Sequence, residues 1–346
     1  MTKNNDPFTL RLPAEWETQS GVMLTWPHRD TDWKPYLNEV IPCFTAIAHA
    51  IVRREKLLIV CASTGEVKAA LGNIDQSRII FREIPSNDTW ARDHGPIGVH
   101  LNGNPYIYNF TFNGWGLKFP ANQDNQITEK LFESGAFSPR TGYQDMLHVV
   151  LEGGSIESDG EGTLLATARS LLSKKRNSYR NKTEIADYFK VIFGLKRILW
   201  LDSGYLAGDD TDSHIDTLAR FCDPRTIAYV QCTDKHDEHF KELSRMELEL
   251  QKFKTPAGKP YRLIPLPMAE TVYDNGERLP ATYANFLIIN GAVLTPCYNS
   301  PLDEVACLQL QLAFPDREII GVDCRPLIRQ HGSLHCVTMQ LPEGFL

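Results

Sequence analysis

The sequence predicts an α/β protein folded as one domain, on three observations. Short runs rich in Val, Ile, Leu, Tyr and Phe recur through all 346 residues, and amphipathic stretches with helical spacing lie between them. No Pro/Ser-rich linker or shift of composition divides the chain. The expected unit covers residues 1–346, with an ordered core over about residues 8–345.

Strands are expected at residues 22–26, 56–61, 78–84, 106–112, 148–151, 163–167, 197–201, 226–231, 262–267, 285–289 and 318–322. Each is short, rich in β-branched or aromatic residues, and bounded by Gly, Pro, Asn or Asp. Helices are expected at residues 36–54, 183–193, 238–253 and 302–314, where apolar residues return at three- and four-residue intervals, as Ile185, Phe189 and Phe193 do. Asp93, Glu152, His214, Asn285 and Cys336 punctuate this series roughly every 50–70 residues, each beside a strand-like run. That spacing is compatible with five similar β/α units around one centre.

Composition narrows the partners. The formal charge of −7 gives no electrostatic footprint for nucleic acid or an anionic membrane, and it favours a cationic ligand. The first residues, Met1 to Asp6, are polar and form no signal-peptide core, and no run is long enough to span a bilayer, so the expected location is the cytoplasm. Eight scattered cysteines without Cys-x-x-Cys read as reduced, mostly buried thiols. Gly-x-Gly-x-x-Gly, the phosphate-binding loop signature and His-Glu-x-x-His are all missing, which disfavours a dinucleotide, a nucleotide and a catalytic metal. A homodimer is compatible with the chain, whose oligomeric state the residues do not fix.

Four segments carry chemistry. Residues 87–96 hold Asp88, Trp90, Arg92 and Asp93. Arg92 pairing with Asp88 or Asp93 on a solvated loop explains them as well as Asp93 gripping a guanidinium through two parallel hydrogen bonds. Glu152 follows an apolar run and precedes a glycine pair, a place for an ordinary turn or for an acid that orients an imidazole. Around His214 stand Asp209, Asp210, Asp212 and Asp216. An extended His-Ile-Asp would send His214 and Asp216 to one side, while calcium coordination is a weaker rival because the loop lacks the glycine and distal glutamate of the calcium-binding pattern. Residues 333–338 alternate like a strand and contain Cys336, which alone reads as a packed thiol.

Together these segments resemble one family. Trp90-Ala-Arg-Asp93-x-Gly-Pro96, Phe112-Asn-Gly-Trp115-Gly116, Leu151-Glu-Gly-Gly-Ser-Ile156, Asp159-Gly-Glu-Gly-Thr163, Gly208-Asp-Asp-Thr-Asp-Ser-His-Ile-Asp216, Tyr283-x-Asn285-Phe286 and His335-Cys-Val-Thr338 look like the agmatine deiminases, within the Porphyromonas-type peptidyl-arginine deiminases. The motifs stand in family order and span nearly the whole chain. The resemblance implies a five-bladed α/β propeller, or pentein, of ββαβ-type units forming one catalytic domain around a central site. It also implies hydrolysis of a guanidinium to a ureido group with release of ammonia, as in polyamine biosynthesis.

Carried over by position, Cys336 matches the nucleophile, His214 the general acid/base, Glu152 its supporting acid, and Asp93 and Asp216 the carboxylates that grip the guanidinium. Asn285 matches a polar site residue, and Trp90 and Trp115 line a substrate channel. Asp209, Asp210 and Asp212 are expected to read the distal ammonium of agmatine, a small cationic guanidine. No metal or organic cofactor is needed. The chain departs from the pattern at residues 330–334 before the cysteine, at Ser170 where Cys is frequent, and at Thr217 where Asn is common. None of these removes a catalytic group. A peptidyl-arginine or other guanidine deiminase, a non-catalytic guanidinium-binding module and a Cys/His acyl hydrolase are the alternatives, and sequence leaves open whether a Cys-His ion pair or the substrate cation supplies the thiolate.

Overall fold

Five small sheets repeat one strand plan, in which a first strand pairs antiparallel with a second, a helix crosses over, and a third strand pairs parallel on the far side. The crossover is required because parallel neighbours cannot be joined by a tight turn. The computed structural model describes residues 9–179 and 181–346; residue 8, the expected start of the ordered core, lies outside the described residues.

The first unit takes its first strand, Thr338–Pro342, from the far end of the described chain and pairs it antiparallel with Gln19–Thr25. Helix Leu37–Val52 then leads to the parallel strand Lys56–Cys61, and helix Thr64–Leu71 leads to a fourth, Ile79–Glu83. The second unit runs Ile97–Leu101, Asn104–Thr111, helix Ile127–Glu133 and Gly142–Val150. The third runs Glu157–Ser158, Thr163–Thr167, helix Lys182–Phe193 and Arg197–Leu201. The fourth runs Ala219–Asp223, Thr226–Gln231, helix Phe240–Lys252 and Arg262–Pro267. The fifth runs Leu287–Ile289, Ala292–Cys297, helix Leu302–Ala313 and Glu318–Asp323. This is the α/β propeller of ββαβ units that the resemblance implies.

Local chemistry explains the elements. In the second unit the hairpin turns on Asn102 and Gly103, both at positive φ (51° and 75°), the pair that a tight twisted hairpin demands. Helix Lys182–Phe193 starts where the Asn181 side chain accepts the Glu184 N–H, ends at left-handed Gly194, and buries Ile185, Phe189 and Phe193 against its sheet. The sequence pattern does not single out Ile97–Leu101, Glu157–Ser158, Ala219–Asp223, Ala292–Cys297 or Thr338–Pro342. All but Ala292–Cys297 are first strands of a unit, and two of them carry buried charge, Glu157 and Arg220, where strand patterning expects apolar residues. Arg220 is fully buried, paired with Glu15 and Glu157.

A tight turn leads into each first strand. Asp93, Glu152, Asp216, Asn285 and Cys336 therefore fall one per unit just ahead of it, which brings them to the common centre.

Candidate active site

Cys336 stands in a turn, and its strand begins only at Thr338, so the strand-like alternation expected over residues 333–338 is corrected. Asn285 fixes this turn from the fifth unit. Its Oδ1 accepts the His335 N–H (2.9 Å) and the Cys336 N–H (3.3 Å) and lies 3.3 Å from Sγ, while its Nδ2 donates to the Asp216 carbonyl (3.2 Å).

His214 and Asp216 do not lie on an extended segment as expected: Ile215–Thr217 is a single 3-10 turn. Asp212 and Ser213 just ahead are both left-handed (φ 63° and 64°), an uncommon and costly backbone that aims His214 inward. Asp209 Oδ2 holds it by accepting the Ser213 N–H at 2.7 Å. Asp93 sits on the helical turn Ala91–His94, where Oδ1 accepts the Gly154 N–H (3.0 Å) and Oδ2 the Trp115 indole N–H (2.9 Å). Trp115 belongs to a run of four left-handed residues, 114–117, stabilised by the Asn113 side chain accepting the Gly116 N–H.

Gly154 has no room for a side chain. A Cβ there would meet His214 Nδ1 at 2.7 Å, Asp93 Oδ1 at 2.9 Å and Asp216 Oδ2 at 3.0 Å, so the imidazole and both carboxylates converge on one point. The His214 ring bridges acids, with Nδ1 3.6 Å from Asp93 Oδ1 and Nε2 3.5 Å from Glu152 Oε2. The second distance is a charge contact, and Nε2 makes no tight hydrogen bond among the described residues. Cys336 Sγ is 3.9 Å from Asp216 Oδ2, while Asp216 Oδ1 is buried with no hydrogen-bond partner among the described residues.

Electrostatics assign the resting charges. Burial depresses His214, but Asp93, Glu152 and Asp216 outweigh it and carry its pKa to about 9, so the ring is an imidazolium at neutral pH. Burial, then the Asp216 and Asp93 charges, push the Cys336 thiol well above its ordinary value. Burial raises Asp93 to about 6 against the pull of His214. Glu152 is held below its ordinary value: burial opposes ionisation, and His214 and Arg176 overcome it.

Cys336 and Asp93 face a cavity of about 180 Å³ whose walls include Trp90, Trp115 and Phe119 and whose other polar lining includes Asp32, Asp88, Asp210 and Arg329. Trp90 and Trp115 pack edge to face with centroids 6.4 Å apart. Trp90, Trp115, Asp93, Asp210 and Cys336 line the cavity and Glu152, His214, Asp216 and Asn285 are buried behind it, whereas Asp209 and Asp212, expected to face the ligand, are turned to the Ser213 N–H and to Arg176 and Lys118 instead.

One pairing is corrected. Arg92 bonds neither Asp88 nor Asp93; it turns away to Glu15 (3.3 Å), the His335 carbonyl (3.4 Å) and Gln340. Sequence reasoning also missed Arg176, whose Nε reaches both Glu152 oxygens (2.9 and 2.6 Å) and whose Nη1 reaches Asp212 (2.6 Å). In sequence it ends a Lys-Lys-Arg run that reads as a solvated surface, so no signal marked it. Among the described residues, no group of three or more His, Cys, Asp or Glu is disposed to hold a metal ion.

Five ββαβ units closing on a thiol, an imidazole and paired carboxylates define the pentein class, the guanidino-group-modifying propellers. The chain belongs to the Porphyromonas-type peptidyl-arginine deiminase family, which matches residues 11–342. It is similar to the "Agmatine deiminase" of Pseudomonas aeruginosa (strain LESB58), at 32% identity over 96% of this chain and 95% of that protein. Among solved structures it resembles the "Putative Arginine Deiminase" of Porphyromonas gingivalis (54% identity, TM-score 0.94, covering 98% of this chain and 100% of that one). It also resembles a substrate-bound agmatine deiminase of C. jejuni (38% identity, TM-score 0.92, covering 100% of both chains).

Proposed function

We propose that this protein is an agmatine deiminase, a single-domain hydrolase that converts agmatine and water to N-carbamoylputrescine and ammonia through an amidino-cysteine intermediate. One observation carries the reading. Asp216 presents a buried oxygen without a hydrogen-bond partner among the described residues, on a carboxylate 3.9 Å from the sulfur, with Asp93 and an imidazolium converging on that carboxylate. A buried carboxylate oxygen without a donor is costly, and a planar guanidinium would satisfy it.

In this mechanism the guanidinium lies between Asp93 and Asp216. Its charge offsets the two carboxylates that hold the thiol protonated, so Cys336 loses its proton to solvent on binding. The thiolate adds to the central carbon, giving a neutral tetrahedral adduct. His214 protonates a departing nitrogen, the C–N bond breaks, ammonia leaves, and a cationic amidino-thioether remains. His214, now neutral, takes a proton from water as the hydroxyl adds. Collapse breaks the C–S bond, the ureido product departs, and its extra proton passes to the leaving thiolate, which restores the Cys336 thiol beside the His214 imidazolium. Glu152, fixed by Arg176, stabilises the imidazolium at both ends of the cycle.

The cavity mouth supports a dicationic substrate. Asp32, Asp88 and Asp210 face it, and the Trp33 indole N–H orients Asp88. Arg329 is the cation that would welcome the carboxylate of free arginine, but it is engaged: Glu39 holds its Nη1 at 2.9 and 3.0 Å, and its guanidinium stacks over Tyr36. This favours agmatine over arginine and over a peptidyl-arginine. Ammonia release measured across agmatine, arginine and blocked arginine tests the choice, with agmatine expected fastest and Cys336→Ala expected inactive. Faster turnover of blocked arginine would reassign the substrate, and agmatine binding without ammonia release would leave a guanidinium-binding module.

No helix among the described residues is long and apolar enough to cross a membrane. A cytoplasmic location and a homodimer complete the proposal, readable by fractionation and by sedimentation.

A further inference from the structure

We infer that His335 and Glu15 are a positioning pair that sets the plane of Asp216, so that its free oxygen faces the guanidinium; the inference rests on the proposed chemistry. Asp216 Oδ2 meets His335 Nδ1 at 2.8 Å, whereas Oδ1 has no hydrogen-bond partner among the described residues. The other imidazole nitrogen, Nε2, meets Glu15 Oε2 at 2.7 Å. Glu15 is fixed in turn: Oε1 accepts the Ile288 N–H at 2.8 Å and meets Arg220 Nη2 at 3.0 Å, and Arg92 Nη2 stands 3.3 Å from Oε2. All of these side chains are buried.

A carboxylate turns freely about its terminal bond, so one fixed donor on one oxygen decides where the other points. With its proton on Nδ1, His335 supplies that donor on the oxygen 3.9 Å from the sulfur and thereby leaves Oδ1 for a ligand. Packing alone would not call for this arrangement, because buried charge is costly and an apolar side chain would fill the space more cheaply. The chain instead spends two buried arginines to hold Glu15 against one face of the imidazole. Residue 335 therefore acts on the substrate only through Asp216, and its contribution should appear in binding of the guanidinium.

The two amide variants separate this role from packing. His335→Asn places an N–H where Nδ1 stands, and His335→Gln places one where Nε2 stands. Turnover of agmatine and the agmatine concentration that half-protects Cys336 from iodoacetamide are measured together for wild type and both variants. Losing a hydrogen bond to a charged group predicts a KM and half-protection concentration ~10–100-fold higher in His335→Gln, with kcat changed less. His335→Asn should stay within about threefold of wild type. Equal values in all three proteins, or equal losses in both variants, would overturn the inference. If neither variant folds, Glu15→Gln decides: a roughly tenfold rise in half-protection concentration supports the pair, and an unchanged value overturns it. Wild type that is protected by agmatine yet releases no ammonia refutes the proposed function alone, and wild type that agmatine does not protect refutes both.

Discussion

Asp216→Asn should make the resting thiol far more reactive while abolishing turnover. The carboxylate oxygen lies 3.9 Å from Cys336 Sγ, and both groups are buried. At an effective dielectric constant near 20, a unit charge at that distance disfavours the thiolate by about 4 kcal/mol, or about a thousandfold in its population. The amide keeps the shape and removes the charge. The assay is iodoacetamide labelling of Cys336, followed by peptide mass spectrometry from about pH 6 to 10, with the denatured protein as the reference thiol. Wild type should label slowly, rising about tenfold per pH unit without a plateau below pH ~9. Asp216→Asn should label ~100–1000-fold faster at neutral pH. Saturating agmatine should accelerate thiolate formation in wild type, seen as accumulation of the amidino adduct in quenched samples. Equal labelling rates in the two proteins, or a wild-type plateau between pH 6 and 8, would refute the argument, since the thiol would then already be ionised by a cationic partner.

Three further outcomes follow from the site. Gly154→Ala should lose turnover at least ~100-fold and lower the melting temperature by a few degrees, since its Cβ would press on His214, Asp93 and Asp216 together. Asp93 must be ionised to grip a cation and its pKa is raised to about 6, so kcat/KM should fall as pH drops through that value. Trp115→Phe removes an N–H that holds this pKa down and should move the limb to higher pH; a pH–rate profile with an unmoved limb would contradict it. Arg176→Met strands the buried Glu152 carboxylate and should cost ~3–5 kcal/mol, lowering the melting temperature by several degrees. Adding Glu152→Gln should restore much of that stability without restoring activity, as calorimetry beside an ammonia assay would show.

What the sequence made legible was chemistry carried by local patterns. Asp93, Glu152 and His214 stand beside Gly, Pro or Asp-rich turns visible in the residues themselves, whereas the turns at Asn285 and Cys336 are hidden by strand-like neighbours. Most second strands, and Lys56–Cys61 of the first unit, were legible for a related reason: largely buried, they are continuous apolar runs such as Leu57 to Val60, although Ala292–Cys297 escaped. The first strands Glu157–Ser158 and Ala219–Asp223 were obscured because they carry buried charge, Glu157 and Arg220, where strand patterning expects apolar residues. Arg220 looks like a surface residue until Glu15 and Glu157, both remote in sequence, are known to face it. Arg92 misled for the same reason, since two near carboxylates in sequence lost to a distant one in space. The extended His-Ile-Asp failed because two left-handed residues ahead of it redirect the chain, and non-glycine residues give little sign of such a backbone.

The seam between Thr338–Pro342 and Gln19–Thr25 has a consequence for timing. The strand that closes the ring comes after every other strand of the propeller in chain order, and it brings the sulfur with it. Until it docks, a nascent chain can hold His214, Asp93, Asp216 and Glu152 yet own no nucleophile beside them. Catalytic competence is thus acquired in a single event, when this strand docks, and a partly made molecule is chemically harmless to the guanidinium groups around it.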